Sequence, residues 1–310
     1  MLPLWVILGI GGVLFSVFGT LIDKFLLERY FNSDDHSGPG ALIIFSSLFS
    51  IVIAILVIAF RYDAIDFGRN AAVVGLLAGA LYGVWLLMYL HAMTRADVSK
   101  VAPLFQTVPI FGLVFGAIIL GEFLTPKQML AGAIIITGAI ILMYQRANGR
   151  MGLDMVTLGL MLGASCFVAI TQVVFKVVAI DANYWTAAFW QSIGYTGFGI
   201  GLYAFSAGYR QQFLYLFGRR RSHIVGVSIA NEIFDNIGDL VTLAAVVLGP
   251  VALVQSLGAY EPMLIFLLCL LLMRLWPRYF HEEVSTTALM QKSCGIAVIF
   301  VGSIVLYSTI

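Results

Sequence analysis

The chain has 310 residues, 61% of them hydrophobic and 11% charged, and a formal net charge of +1. A soluble domain carries about 25% charged residues, so this chain lacks the polar surface of a soluble enzyme, and lipid is its expected solvent. The near-neutral charge offers no broad basic face for phosphates, so no nucleic-acid partner is expected.

A membrane helix needs about 20 mostly apolar residues. Ten such windows follow one another. The first five are Leu4–Ile22, Ala41–Phe60, Ala71–Met93, Val101–Leu120 and Met129–Tyr144. The second five are Met155–Ile180, Tyr184–Ser206, Ile224–Leu248, Val251–Met273 and Lys292–Ile310. No basic stretch precedes the first window, so it reads as a span and not as a cleaved leader. The longer connections are Asp23–Gly40, Ala207–His223 and Arg274–Gln291. Cys166, Cys269 and Cys294 sit in apolar runs without a CxxC pair and read as small core hydrophobes. Neither a metal site nor a cofactor is expected.

The two sets of five windows correspond. With Lys24 set against Lys176, Gly11 meets Gly163 and Thr20 meets Gln172. With Pro109 set against Pro262, Val101 meets Val254 and Leu120 meets Met273. Gly132 and Gly138 on the fifth window resemble Gly295 and Gly302 on the tenth. An odd number of spans per half forces opposite orientations. The predicted architecture is therefore all-α and integral to the membrane, with ten transmembrane helices as two inverted five-helix repeats, residues 1–148 and 149–310. In carriers built this way the site lies between the repeats near the midplane.

The stretch Gly121-Glu122-Phe-Leu-Thr-Pro-Lys-Gln-Met-Leu-Ala-Gly132, continued by Ala-Ile-Ile-Ile-Thr-Gly138, resembles the loop and last helix of an EamA-type repeat. Val98 to Pro109 is similar to the preceding helix of that family. The second half departs from the pattern: Arg274-Leu275 stands where Gly121-Glu122 would fall, and a longer segment through His281, Glu282 and Glu283 precedes the last window. The resemblance to the drug/metabolite transporter superfamily implies a ten-helix carrier working by alternating access on a small metabolite. Members of that superfamily are usually drawn with both termini inside the cell.

Charge points the other way. Lys and Arg enrich on the cytoplasmic side. The connections after odd-numbered spans hold 13 of the 17 basic residues, and the remaining 4 are Arg61, Arg69, Lys127 and Lys176. The count puts the termini outside. The expected location is the prokaryotic inner or plasma membrane.

The eighth window carries the chemistry. Around a helix, Glu232, Asp235, Asn236 and Asp239 fall within an arc of roughly 100°. Three acids at mid-membrane cost roughly 8–10 kcal/mol to insert, and each Leu, Ile or Val returns only about 0.3–0.6 kcal/mol. A lipid-facing stripe is untenable, so the stripe is expected to face a wet or protein-lined cavity. Glu232, Asp235 and Asp239 are the expected proton- or ion-coupling residues. The bland alternative has the acids paired with Lys24, Lys176 or backbone donors, merely fixing helix packing.

On the third window, the equivalent span, Tyr82, Trp85 and Tyr89 recur at i, i+3 and i+7, and the repeat sets Tyr82 against Asp235. Aromatic faces and carboxylates both attract organic cations, although such aromatics more often simply pack. Gln106, Trp190, Gln191, Asn236, Gln255 and Glu261 complete the expected substrate-binding set, with Gln172 a further lining candidate. Lys24 and Lys176, near span ends, are expected to snorkel to the interface. Glu122 reads as a loop or cap residue, and His91 as interfacial.

Two rival classes stay open. Asn231-x-x-x-Asp235-x-x-x-Asp239 resembles the first aspartate motif of UbiA-type membrane prenyltransferases, where carboxylates hold Mg²⁺ against a diphosphate. Such enzymes need a second acidic cluster, and after Asp239 the chain offers Glu261 and Glu282-Glu283 without a second DxxxD. A scaffold protein is the other rival. The expected partners are a small-molecule substrate, protons or another coupling ion, the lipid bilayer and, as an open alternative, a second copy of the chain in a homodimer.

Overall fold

A computed structural model describes residues 2–26, 39–95, 104–143, 155–218, 222–275 and 286–308. The described residues form helices joined by turns, with no strand among them. The first half comprises α1 (Leu4–Leu26), α2 (Pro39–Arg61), α3 (Arg69–Arg95), α4 (Val108–Phe115) and α5 (Pro126–Met143). The second comprises α6 (Met155–Asp181), α7 (Tyr184–Phe205), α8 (Ala207–Gly218), α9 (Ser222–Leu248), α10 (Val251–Leu257), α11 (Tyr260–Leu275) and α12 (Thr286–Tyr307).

By length and apolarity, five stretches can cross a membrane: Leu4–Ile22, Pro39–Ala64, Arg69–Arg95, Met155–Asp181 and Val251–Leu268. Val108–Leu120, Pro126–Ile141 and Ser293–Leu306 are shorter apolar helices. α7 and α9 fall outside both groups: α9 carries three acids, and α7 is rich in Tyr, Thr, Ser and Gln. Large apolar side chains such as Ile55, Ile118 and Ile304 stand exposed on the outside of the bundle, as a lipid-facing surface requires.

Two expected spans are broken near their prolines. Pro109 has no N–H to offer Phe105, and the chain turns at Gln106–Thr107, where Thr107 Oγ1 donates to the Leu104 carbonyl at 2.7 Å. On the equivalent span, the helix breaks between Leu257 and Tyr260, just before Pro262. α4 runs on into a π-helical turn, Gly116–Leu120, closed by Gly121 at φ 67°, a left-handed conformation suited to glycine. Thr125 and Gln128 then form a capping box: Gln128 Oε1 accepts from Thr125 N at 2.9 Å, and Gln128 N donates to Thr125 Oγ1 at 3.3 Å. Pro126 takes the first helical position.

Helix pairs join the halves. α1 lies along α9, α3 along α6 and α7, α2 along α7, and α5 along α12. Small residues permit these approaches. A Cβ on Gly12 would lie 2.9 Å from the Gly238 carbonyl oxygen, and one on Gly238 would lie 3.1 Å from that of Gly12. A Cβ on Gly138 would come 2.8 Å from Ile299 N, and one on Gly302 would come 2.9 Å from Ile135 N. One core gathers Trp5, Ile135, Leu253, Leu257 and Ile299; a second gathers Phe175, Val178, Ala187 and Leu243.

α8 is a helix in what reads from sequence as connection. It rests on α2 and α7, with Gln212 Oε1 accepting from Gly40 N at 3.1 Å and the Tyr209 hydroxyl 3.2 Å from His91 Nε2. The expectation that the cysteines are core residues is corrected for two of them: Cys166 is half-buried and Cys294 is exposed on the apolar outside. The side chains of Lys24 and Cys269, and all of Asn148–Gly149, Arg219–Arg221 and His281–Glu283, lie outside the described residues.

Candidate functional site

A cavity of about 310 Å³ lies between the halves. α9 builds its most polar wall. Glu232, Asp235, Asn236 and Asp239 all line it, while Ile229, Ile233 and Ile237 on the other face of the helix are exposed. The arc drawn from the sequence is therefore the division between cavity and outside.

Each acid has an identifiable neighbour. Ser46 Oγ on α2 donates to Glu232 Oε2 at 2.9 Å. Asn231 Nδ2 donates to Asp235 Oδ2 at 2.9 Å, and the Asp235 carboxylate lies where a Cβ on Gly19 of α1 would stand. The Tyr82 hydroxyl donates to Asp239 Oδ2. Asn236 Nδ2 donates to the Glu232 carbonyl at 2.6 Å and to its Oε2 at 3.2 Å. From α11, Glu261 reaches the cavity and accepts from Thr20 Oγ1 at 2.6 Å. The repeat sets Tyr82 opposite Asp235; in the structure its hydroxyl engages Asp239, one turn further along the same face.

The opposite wall is aromatic. Tyr82, Trp85 and Tyr89 line it together with Phe105. Trp85 meets Tyr82 edge-on at 5.4 Å between ring centroids, and lies 5.8 Å from Tyr89 and 5.9 Å from Phe105. Tyr195 of α7 packs on Tyr82 at 4.8 Å. Gln106 and Gln255, beside the two helix breaks, both line the cavity, and Gln255 Nε2 donates to Gln172 Oε1 at 3.0 Å. Gln191 lines it as well. Trp85 Nε1, Gln191 Oε1 and Gln255 Oε1 are buried without a hydrogen-bond partner among the described residues.

Trp190 is the exception among the expected lining residues. Its Nε1 donates to the Asp66 carbonyl at 2.9 Å, its ring meets Phe67 and Phe189, and it lines no part of the cavity. It faces away because its neighbour Gln191 takes the inward position and Gly75 leaves room for the Trp190 Cβ.

Lys176 also departs from expectation. It does not snorkel: it is 6% exposed, and its Nζ lies 2.5 Å from Glu122 Oε1 and donates to the Gly249 carbonyl at 2.7 Å. Glu122 Oε2 accepts from Val251 N at 2.8 Å, so it caps α10 and not its own helix. The pair ties the α4–α5 loop to α6 and to the α9–α10 turn. Nearby connections are fastened in the same manner: Asn183 Nδ2 donates to the Ala64 carbonyl at 2.6 Å, and its Oδ1 caps α7 by accepting from Thr186 N at 2.9 Å. Lys176 is thus held at one end of the bundle, and the bland pairing of the α9 acids with it does not occur.

Sequence reasoning missed Thr20, Ser46 and Tyr195. The available signal was polarity inside apolar runs: Ser46 and Ser50 stand four residues apart on α2, and both line the cavity.

No match was found among curated protein sequences. A solved crystal structure of a protein superposes on 97% of this chain and 96% of its own, with a TM-score of 0.67 and 15% identity, which shows a shared fold. Residues 3–144 match the EamA-like transporter family. The matched stretch, just under half of the chain, carries the capping-box motif of α5, and that stretch is similar to the EamA-like transporter family of the drug/metabolite transporter superfamily.

Proposed function

We propose that the protein is a secondary active carrier of a small cationic or zwitterionic metabolite. It works by alternating access between two inverted five-helix halves, residues 1–148 and 149–310, and exchanges substrate against protons or another coupling ion. The observation that carries this reading is the cavity between the halves, with Glu232, Asp235, Asp239 and Glu261 facing Tyr82, Trp85, Tyr89 and Phe105. A cation gains from both walls, and a proton on a carboxylate competes with it for the same charge.

Ten spans and an inverted repeat are supported by reciprocal pairing. α1 lies on α9 as α6 lies on α3, α2 pairs with α7, α5 with α12, and α4 with α10. Both broken helices bring a glutamine to the cavity beside the break. Broken helices around a midplane site suit carriers, because freed backbone groups can face the cavity without meeting lipid. The basic-residue count supports termini outside in a plasma or prokaryotic inner membrane.

The prenyltransferase reading draws on the same stretch of α9 and is less well supported. Asn231 and Tyr82 hold Asp235 and Asp239 separately, and the described residues gather no trio of Asp, Glu, His or Cys suited to a metal ion.

Flux tests the proposal. Proteoliposomes enclosing a pH-sensitive dye are given quaternary ammonium ions, whose permanent charge keeps them from crossing lipid unaided. Saturable uptake accompanied by counter-movement of protons is expected, with coupling lost in Asp235→Asn and Asp239→Asn. If both variants transport with unchanged pH dependence, the proton role is wrong.

A further inference from the structure

We infer that the cavity takes a two-headed cation, an extended aliphatic diamine or a longer oligoamine, and that Asp239 and Glu261 each receive one ammonium group. This rests on the transport reading of the cavity and names the substrate class for it. Asp239 projects from α9 and Glu261 from α11, so the two carboxylates belong to different walls of one cavity. Their hydrogen-bond partners are hydroxyls: Tyr82 on Asp239 and Thr20 on Glu261. Among the described residues, none that lines the cavity is Lys, Arg or His.

Helix α1 supplies the spacing. Gly12 meets Gly238 beside Asp239, and Thr20 holds Glu261. Eight residues of helix separate those two points, about 12 Å of rise. The backbone of α9 at Asp239 and the Thr20 contact of Glu261 thus stand at different levels along α1, with the Asp235 carboxylate beside Gly19 at the Thr20 level, so one compact ammonium is matched to one level of the cavity. A flexible chain with an ammonium at each end is matched to both, and its methylenes would lie along the Trp85, Tyr89 and Phe105 rings.

A third acceptor points to the same kind of ligand. Gln191 is 8% exposed and lines the same cavity, and its Oε1 has no donor among the described residues. A buried carbonyl left without a donor costs about 1–3 kcal/mol, which an ammonium N–H would recover. Primary and secondary amines donate two or three N–H groups, whereas a quaternary nitrogen donates none. The preferred ligand therefore carries N–H at its charged ends.

Binding to the full-length protein in detergent micelles tests this, by calorimetry with diaminobutane, diaminohexane and diaminooctane against the matching alkyl monoamines and amino alcohols. The expected result is an optimum in chain length among the diamines. At that optimum, the diamine binds about tenfold or more tightly than its monoamine or amino-alcohol counterpart. Asp239→Asn and Glu261→Gln should each abolish the length optimum and bring the diamine to the monoamine level. Gln191→Leu should weaken primary amines more than quaternary ones. Equal affinity for the amino alcohol and the diamine overturns the second charge site. Saturable flux of quaternary ions without any diamine preference overturns this inference and leaves the carrier proposal standing. If no amine of any kind binds or moves, the cation reading itself fails.

Discussion

Replacing Lys176 with methionine leaves Glu122 facing a place from which its cation has gone. The lysine side chain is 7% exposed and the glutamate 19%, with 2.5 Å between Nζ and Oε1. Removing one partner of a buried pair costs about 3–5 kcal/mol, because the other charge remains desolvated. Glu122 keeps some solvent and its bond from Val251 N at 2.8 Å, so the low end, about 3 kcal/mol, is expected for Lys176→Met. Glu122→Gln leaves Lys176 its bond to the Gly249 carbonyl and should cost a similar amount. The double variant removes both charges, and its loss should fall short of the sum by about 2 kcal/mol. Equilibrium unfolding in mixed micelles of a denaturing detergent measures all three. Single losses below about 1 kcal/mol, or strictly additive losses, would refute the view that this pair holds the α4–α5 loop against the α9–α10 turn.

Three further outcomes follow from the helix contacts and from what stands beside the cavity. Gly138→Val places a side chain against backbone, since even its Cβ would lie 2.8 Å from Ile299 N and 2.9 Å from the Gly295 carbonyl; overpacking should cost about 1–3 kcal/mol in the same unfolding assay. Gly19→Leu occupies the place of the Asp235 carboxylate, whose Cγ would be 2.7 Å from the new Cβ, so cation affinity should fall while the protein still folds; unchanged affinity would show that Asp235 is not needed where it stands. Trp190→Phe removes a bond to the Asp66 carbonyl and should lower stability by about 1 kcal/mol without altering ligand affinity, a result that separates it from Trp85→Phe.

The parts of the site that the sequence displays are those that depend on one helix alone. A stripe of acids on an apolar run has no tolerable orientation except inward, and α9 turns Glu232, Asp235, Asn236 and Asp239 to the cavity as that constraint demands. The aromatic series at Tyr82, Trp85 and Tyr89 was legible for the same reason. The breaks near Gln106 and ahead of Pro262 fall inside windows that read as continuous spans, although each holds a proline whose missing N–H acts locally. What needed tertiary contact was hidden. Lys176 and Glu122 lie 54 residues apart, and neither alone distinguishes snorkelling from pairing. Trp190 and Gln191 are neighbours, and only the approach of α3 through Gly75 and Gly79 decides which one faces inward. Short polar side chains such as Thr20 and Ser46 carry little signal until a carboxylate from another helix lies beside them.

Solvent access to Asp235 tests the central claim most directly. With Cys166, Cys269 and Cys294 replaced, Asp235→Cys is treated in membranes with a charged, water-soluble thiol reagent. The account predicts modification from the aqueous phase, slowed when an amine ligand is present. Labelling confined to a lipid-soluble reagent, or modification indifferent to every ligand, would contradict an acid-lined passage between the two halves.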